Sequence, residues 1–200
     1  AVKKIDLSHF STAKLFNLEL TFNECNALTE VPFSSSFVTP KVVTFRNMFY
    51  NCNKLTSLDM SSFYAPKATD MYRMFRNCSS LTELNLGNNF DASGCTTMRE
   101  MFFNCYGLTS LDVSSFRPSS CTTMLEMFYN CYNLTELKLG SHFDTSNVTD
   151  MQEMFYNVQK VASLNIDGYF NTANVTNMWS MFSECRALTS LNVSGFDTSK

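Results

Sequence analysis

Apolar residues recur along this chain in two alternating patterns, which together repeat every 26 or 27 residues. The first pattern is L-x-x-L-x-L, whose last two apolar positions alternate with a polar one, as in a short strand with one buried face. The second is M-x-x-M-F-x-N-C, which spaces its apolar residues by three and four, as on one face of a short helix. Strand, turn and short helix, copied along the chain, predict a solenoid.

The Met-Phe pair of the second pattern marks the repeat. It occurs at Met48-Phe49, Met74-Phe75, Met101-Phe102, Met127-Phe128, Met154-Phe155 and Met181-Phe182. We therefore predict an α/β solenoid, a leucine-rich-repeat superhelix with short parallel strands on one face and short helices on the other. The extra residue of the longer units falls in the turn after the strand, as in Leu86-Gly87-Asn88-Asn89-Phe90, because a turn absorbs a change in length that a packed ladder does not.

The repeat runs through residues 1–200 as a single domain. Residues 1–27 form a degenerate first unit, and residues 188–200 form a truncated last one. Because each coil of a solenoid is covered by its neighbours, we expect this domain to be a segment of a longer array.

Composition and charge exclude two classes of partner. The formal net charge is −3, only 16% of residues are charged, and no basic cluster exceeds Lys3-Lys4. A phosphate-binding stripe is therefore absent, and we do not expect nucleic acid as a partner. No apolar run approaches the roughly 18 residues of a membrane span, so we do not expect direct membrane insertion.

The cysteines and histidines do not form a pattern typical of a metal or catalytic site. Six of the eight Cys occupy one column of the repeat, in which the sixth unit has Val158. A position that accepts Val favours a small apolar group, so we predict buried free thiols, with disulfides between stacked neighbours as the alternative. No C-x-x-C pair occurs, and His9 and His142 lie in turns. We expect no metal, no cofactor and no enzymatic activity, because no nucleophile and base stand out from the repeat.

Two sets of surface residues are candidate binding sites. The outward positions of the strands form a polar strip, for which simple solubility is the alternative role. The strip comprises Asp59, Asn85, Asp112, Lys138, Asn165 and Asn192. Aromatic residues near the second pattern form a rim, for which partial burial is the alternative, although Tyr and Trp are enriched in recognition surfaces. The rim comprises Tyr50, Phe103, Tyr129, Tyr156 and Trp179.

The repeated segments L-T-S-L-D-V-S-S-F, F-D-T-S-N-V-T-D-M and M-F-x-N-C resemble the BspA-like leucine-rich-repeat proteins of bacterial surfaces. The likeness covers residues 28–200 well and residues 1–27 more loosely. It implies a secreted or surface-anchored solenoid that binds a protein or glycan on a host cell, in matrix or on a neighbouring cell. The alternative function is structural: a spacer or an assembly component of a surface appendage or virus-like particle, with self-association through an uncapped C-terminal edge.

Overall fold

The computed structural model describes residues 2–7, 9–10, 12–166 and 170–200, and there the chain winds into stacked coils. One face carries the strands β1 (Ser57–Asp59), β2 (Glu83–Asn85), β3 (Ser110–Asp112) and β4 (Glu136–Lys138). β1 pairs in parallel with β2, and β3 pairs in parallel with β4. Isolated parallel bridges continue this strand face at both ends, from Lys4 to Glu30 and from Ser163 to Ser190. The solenoid with parallel strands on one face is confirmed.

The strands form two separate pairs rather than one continuous sheet. Each pair is followed by a glycine turn, at Gly87 after β2 and at Gly140 after β4, with φ of +67° and +78°. Glycine favours this backbone, and a Cβ at Gly87 would lie only 2.8 Å from the Cα of Ser61. These turns hold the extra residue of the longer units, as the repeat spacing predicts. The corresponding turn at 167–169 lies outside the described residues.

The short helices predicted for the second half of each unit do not form in the described residues, where these segments are runs of tight turns. Two residues four apart in each segment are left-handed, for example Asn51 at φ +60°, whereas a helix needs φ near −60° throughout. The backbone N–H groups of these segments also alternate between bonding within their own coil and bonding to the next coil. Met48 N–H donates to Phe45 O at 3.0 Å within its coil, and Phe49 N–H donates to Met74 O of the next coil at 2.9 Å. Turns of this kind also place side chains three and four residues apart on the same side of the segment, so they produce the same apolar spacing in the sequence as a short helix does.

The core is a column of stacked rings that runs the length of the solenoid. Phe22 and the Phe of each Met-Phe pair stack in order, with neighbouring centroids 5.1–5.7 Å apart and ring planes within 13°. Methionine and cysteine side chains fill the space beside this column, and Cys78 Sγ donates to Phe49 O at 3.2 Å. In the part of the chain that the structure describes, no helix has the length and apolar character needed to cross a bilayer.

A ladder of asparagine amides lies beside the core. Asn77 Nδ2 donates to Asn51 Oδ1 at 2.7 Å, and Asn104, Asn130 and Asn157 each donate to the previous member at 2.8–2.9 Å. All five have φ between +59° and +62°. Asparagine tolerates this backbone better than most residues, and its amide supplies both a donor and an acceptor to the ladder.

Candidate interaction surface

The polar strip lies on the strand face, where all six of its residues are exposed. Neighbouring members interact along the face: Asn85 Nδ2 donates to Asp59 Oδ1 at 3.0 Å. The Lys138 ammonium is 3.3 Å from the carboxylate of Glu136 within the same strand. A shallow groove of about 470 Å³ crosses the face near Leu84. Asp59 is thus bonded to Asn85, and Lys138 is paired with the adjacent Glu136.

The turn segments form a second surface, which we call the turn face. There Phe103, Tyr129 and Tyr156 occupy the same place in successive coils, and their half-buried rings stack in parallel. The centroids are 4.6 and 4.7 Å apart, and the planes lie within 9°. We call these three residues the aromatic ladder. Beside it Tyr106 and Tyr132 stack at 5.0 Å, so five rings gather on three adjacent coils.

The other two rim residues lie apart from the aromatic ladder. Tyr50 is half-buried and is separated from Phe103 by Arg76, whose Cζ lies 3.9 Å from the Phe103 ring centroid. Arg76 therefore extends the ladder as a planar cation. Trp179 is 63% exposed and stands in a different column. The structure brings three of the five rim residues together and sets two apart.

A buried carboxylate organises the arginines of the turn face. Glu100 is only 1% exposed, and both its oxygens face guanidinium groups. Arg73 donates to it through Nε and Nη2 at 2.8 and 3.2 Å, Arg99 donates through Nε at 2.9 Å, and Arg76 donates through Nη1. The Arg73 guanidinium also lies 4.5 Å from the ring centroid of Tyr72. These charge-assisted bonds fix the arginine side chains in place.

The column of Glu100 continues with Glu126 and Glu153, which are arranged differently. Glu153 is 9% exposed, and its carboxylate accepts a hydrogen bond from Gln152 Nε2 at 3.4 Å. Burial raises the pKa of Glu126, and the nearby Glu153 raises it further. The turn face thus changes along the solenoid from arginine-rich to rich in aromatic rings and carboxylates.

Most of the cysteine thiols are buried and protonated, which disfavours their reaction as nucleophiles. Six of the eight cysteines are buried and all eight are free, as the sequence predicted. Burial raises the pKa of Cys52 and of Cys131 to about 12, which keeps both as thiols at neutral pH. Across the described residues, no group of three His, Cys, Asp or Glu is placed to hold a metal ion.

Sequence reasoning missed Glu100 and the arginines around it, although a signal was available. The residues that follow the six Met-Phe pairs are Tyr50, Arg76, Phe103, Tyr129, Tyr156 and Ser183, and those that precede the pairs are Asn47, Arg73, Glu100, Glu126, Glu153 and Ser180. A search for aromatic residues alone passes over Arg76. Column-by-column comparison of the units would have placed it in the aromatic ladder.

A short parallel strand or an isolated parallel bridge at the L-x-x-L-x-L segments of successive coils makes this chain a leucine-rich-repeat solenoid. Its fold is similar to that of a leucine-rich repeat protein from Eubacterium ventriosum, with a TM-score of 0.55 and 17% identity. The similarity covers 88% of this chain and 41% of that protein, so this chain spans less than half its length. The sequence matches the family described as "Mycoplasma protein of unknown function, DUF285" over residues 1–106, 63–163 and 136–200. The chain belongs to this family.

Other similarities are weaker. A leucine rich cell surface protein from Faecalibacterium prausnitzii aligns with a TM-score of 0.33 and 16% identity, over 94% of this chain and 72% of that protein. A leucine-rich-repeat protein of T. pallidum aligns with a TM-score of 0.27 and 11% identity, over 92% and 76% of the two chains. No curated protein matches the sequence.

Proposed function

We propose that this chain is a non-enzymatic protein-binding module that uses its turn face. The observation that carries the proposal is the aromatic ladder beside Tyr106 and Tyr132. Its half-buried rings are held in place by stacking, so a partner that packs on them orders few additional side chains. Tyr and Arg are among the residue types enriched in protein interfaces, and both occur on this surface.

The stacking favours a polypeptide partner over a glycan. A sugar ring packs its C–H face on an open aromatic face, but the inner faces of the ladder are covered by neighbours 4.6 and 4.7 Å away. Ring edges, phenol hydroxyls and the outer face of Tyr156 remain for contact, and these suit packing and hydrogen bonding with a polypeptide. We assign the polar strip to solubility, because Asn85 is bonded to Asp59 and Lys138 is paired with the adjacent Glu136.

We further propose that the module acts outside the cell as a BspA-like adhesin, with a protein partner on a host cell, in matrix or on a neighbouring cell. The support is the sequence resemblance in the repeated L-T-x-L and N-V-T-x-M-x-x-M-F segments. Protease treatment of intact cells, followed by detection with an antibody to this chain, tests the location. Cleavage without lysis supports the proposal, and protection until lysis opposes it.

The binding surface is tested with two matched double variants. Tyr129→Ser with Tyr156→Ser alters the turn face, and Asp59→Ser with Asp112→Ser alters the strand face. Both are checked for folding by circular dichroism and then used, beside the unaltered chain, to capture proteins from surface extracts. We expect a partner lost with the tyrosine variant and retained with the aspartate variant. The reverse pattern would move the site to the strand face, and retention by both would refute a role for either pair.

Self-association is a second proposal with its own observation. Met178, Phe182, Val193 and Phe196 line an apolar depression of about 410 Å³, and Val193 is 44% exposed. A second copy that covered this surface would remove apolar area from water. Sedimentation at rising protein concentration should show assembly that Val193→Glu abolishes. A chain that stays monomeric throughout would rule this proposal out.

A further inference from the structure

The turn face contains a nearly buried carboxylate without a cation of its own, and we propose that it is the docking site for an arginine side chain of a partner protein. The carboxylate is Glu153, and the site is completed by the ring of Tyr156 and the neighbouring Trp179. The inference rests on the proposed protein-binding function and names the chemistry that this face recognises.

The molecule already contains one filled example of this arrangement. Glu100 lies three residues before Phe103, and Arg76 both donates to the Glu100 carboxylate and stacks on the Phe103 ring at 3.9 Å. Glu153 lies three residues before Tyr156, two coils further along. The same carboxylate and ring therefore recur in the same sequence positions, but the ring face that Arg76 covers in the first case is covered by Tyr129 in the second, which leaves the opposite face of Tyr156 for an incoming group.

The second carboxylate lacks the cations that surround the first. The places that supply guanidinium groups to Glu100 are occupied around Glu153 by Glu126, Tyr129 and Gln152. In the described part of the chain, no Lys, Arg or His nitrogen forms an ion pair with Glu153, which is 9% exposed. Its carboxylate accepts a 3.4 Å hydrogen bond from Gln152. An unpaired buried charge is costly, so a cation supplied by a partner would be bound favourably.

The geometry also provides a place for the incoming group. Tyr129 covers one face of Tyr156, and the next place in that column belongs to Ser183, which has no ring to cover the other face. Ser183 O accepts the Asn157 N–H at 2.8 Å, which keeps this small residue beside the ladder. Trp179 flanks the site, because its carbonyl accepts the Glu153 N–H at 2.9 Å.

The site suits arginine better than lysine. A guanidinium stacks flat on an aromatic ring while its N–H groups reach a carboxylate, whereas an ammonium is a compact, strongly hydrated charge. The arginine of the following coil, Arg186, does not fill the site. It is paired with Glu184, with Nη2 2.7 Å from the carboxylate.

A hexa-arginine peptide is the probe, and a hexacitrulline peptide is its neutral, planar counterpart. Trp179 is the only tryptophan of the chain, so its fluorescence reports binding beside Glu153. We expect the arginine peptide to change this fluorescence and to bind at least about tenfold more tightly than the citrulline peptide. Glu153→Gln should weaken arginine binding by at least about tenfold. Glu136→Gln, which removes an equal charge from the strand face, should leave it unchanged.

The variant also separates recognition from folding. Glu153→Gln should melt no lower than the unaltered chain, because it removes a buried carboxylate that has no cation. Equal hexa-arginine binding by Glu153→Gln and the unaltered chain would overturn the inference, as would no binding or equal binding of the two peptides. If those results came with a partner still captured through Tyr129 and Tyr156, only the arginine site would fail. If no partner were captured either, the proposed function would fail with it.

Discussion

Replacing Asn104 tests whether the left-handed turns, rather than helices, build the second half of each unit. Asn104 has φ +61°. Its Nδ2 donates to Asn77 Oδ1 at 2.9 Å, and its Oδ1 accepts from Asn130 Nδ2 at 2.9 Å. Alanine removes both hydrogen bonds and fits this backbone poorly, whereas glycine removes the same bonds and fits it without strain.

The expected free-energy changes make the glycine variant more stable than the alanine variant, which is the reverse of the order expected in a helix. Loss of two hydrogen bonds costs about 2 kcal/mol in either variant, at about 1 kcal/mol each. Asn104→Ala adds about 1–2 kcal/mol for a left-handed backbone, giving about 3–4 kcal/mol in total. Asn104→Gly adds about 0.5–1 kcal/mol of backbone entropy, giving about 2.5–3 kcal/mol. At the midpoints of these ranges the glycine variant should therefore be the more stable by about 0.75 kcal/mol, whereas in a helix alanine would be favoured by about 1 kcal/mol.

Urea unfolding followed by circular dichroism measures both free energies, and thermal unfolding provides a second measure. For a chain of this size each kcal/mol shifts Tm by about 2–4 °C. Asn53 is the control, because it is exposed and is not left-handed. Its alanine variant should be at least as stable as its glycine variant. An Asn104→Ala protein as stable as Asn104→Gly would refute the turn structure of this segment.

Three further outcomes are expected. In denaturant a thiol reagent should titrate all eight cysteines, and in the native protein it should first reach the half-buried Cys25 and Cys185; far fewer than eight thiols in denaturant would establish disulfides. Gly87→Ala should lower Tm because its Cβ would meet the backbone of Ser61 at 2.8 Å, whereas Gly195→Ala, with nothing within 4 Å, should not; equal effects would contradict the close approach. Burial raises the pKa of the Glu126 carboxyl group above its ordinary 4.5, so the folded chain binds this proton more tightly than the unfolded chain does. The free energy of unfolding therefore falls as the pH rises from 4.5 through the raised pKa of the folded state. Glu126→Gln should therefore raise Tm at about pH 7 and change it little at about pH 3, and an equal shift at both pH values would count against this assignment.

The interaction surface was only partly predictable. The repeat places Phe103, Tyr129 and Tyr156 in one column, so their proximity follows from the sequence. It places Arg76 in the same column too, but a cation is an unexpected neighbour when only aromatic residues are sought. That Glu100 is buried among three guanidinium groups follows from the path of the turns, which spacing alone does not describe.

The sequence by itself determined which residues are neighbours between coils. Stacked units bring residues 26 or 27 apart together whatever conformation each coil adopts. Only the tertiary structure decided the conformation within a coil, because turns and helices place side chains three and four apart on the same side. The turn form is stabilised by amides that donate to the next coil, as Phe49 does to Met74. The structure alone also shows that, among the described residues, Glu100 is paired with three arginines and Glu153 with no cation, because burial and pairing depend on where the neighbouring side chains point.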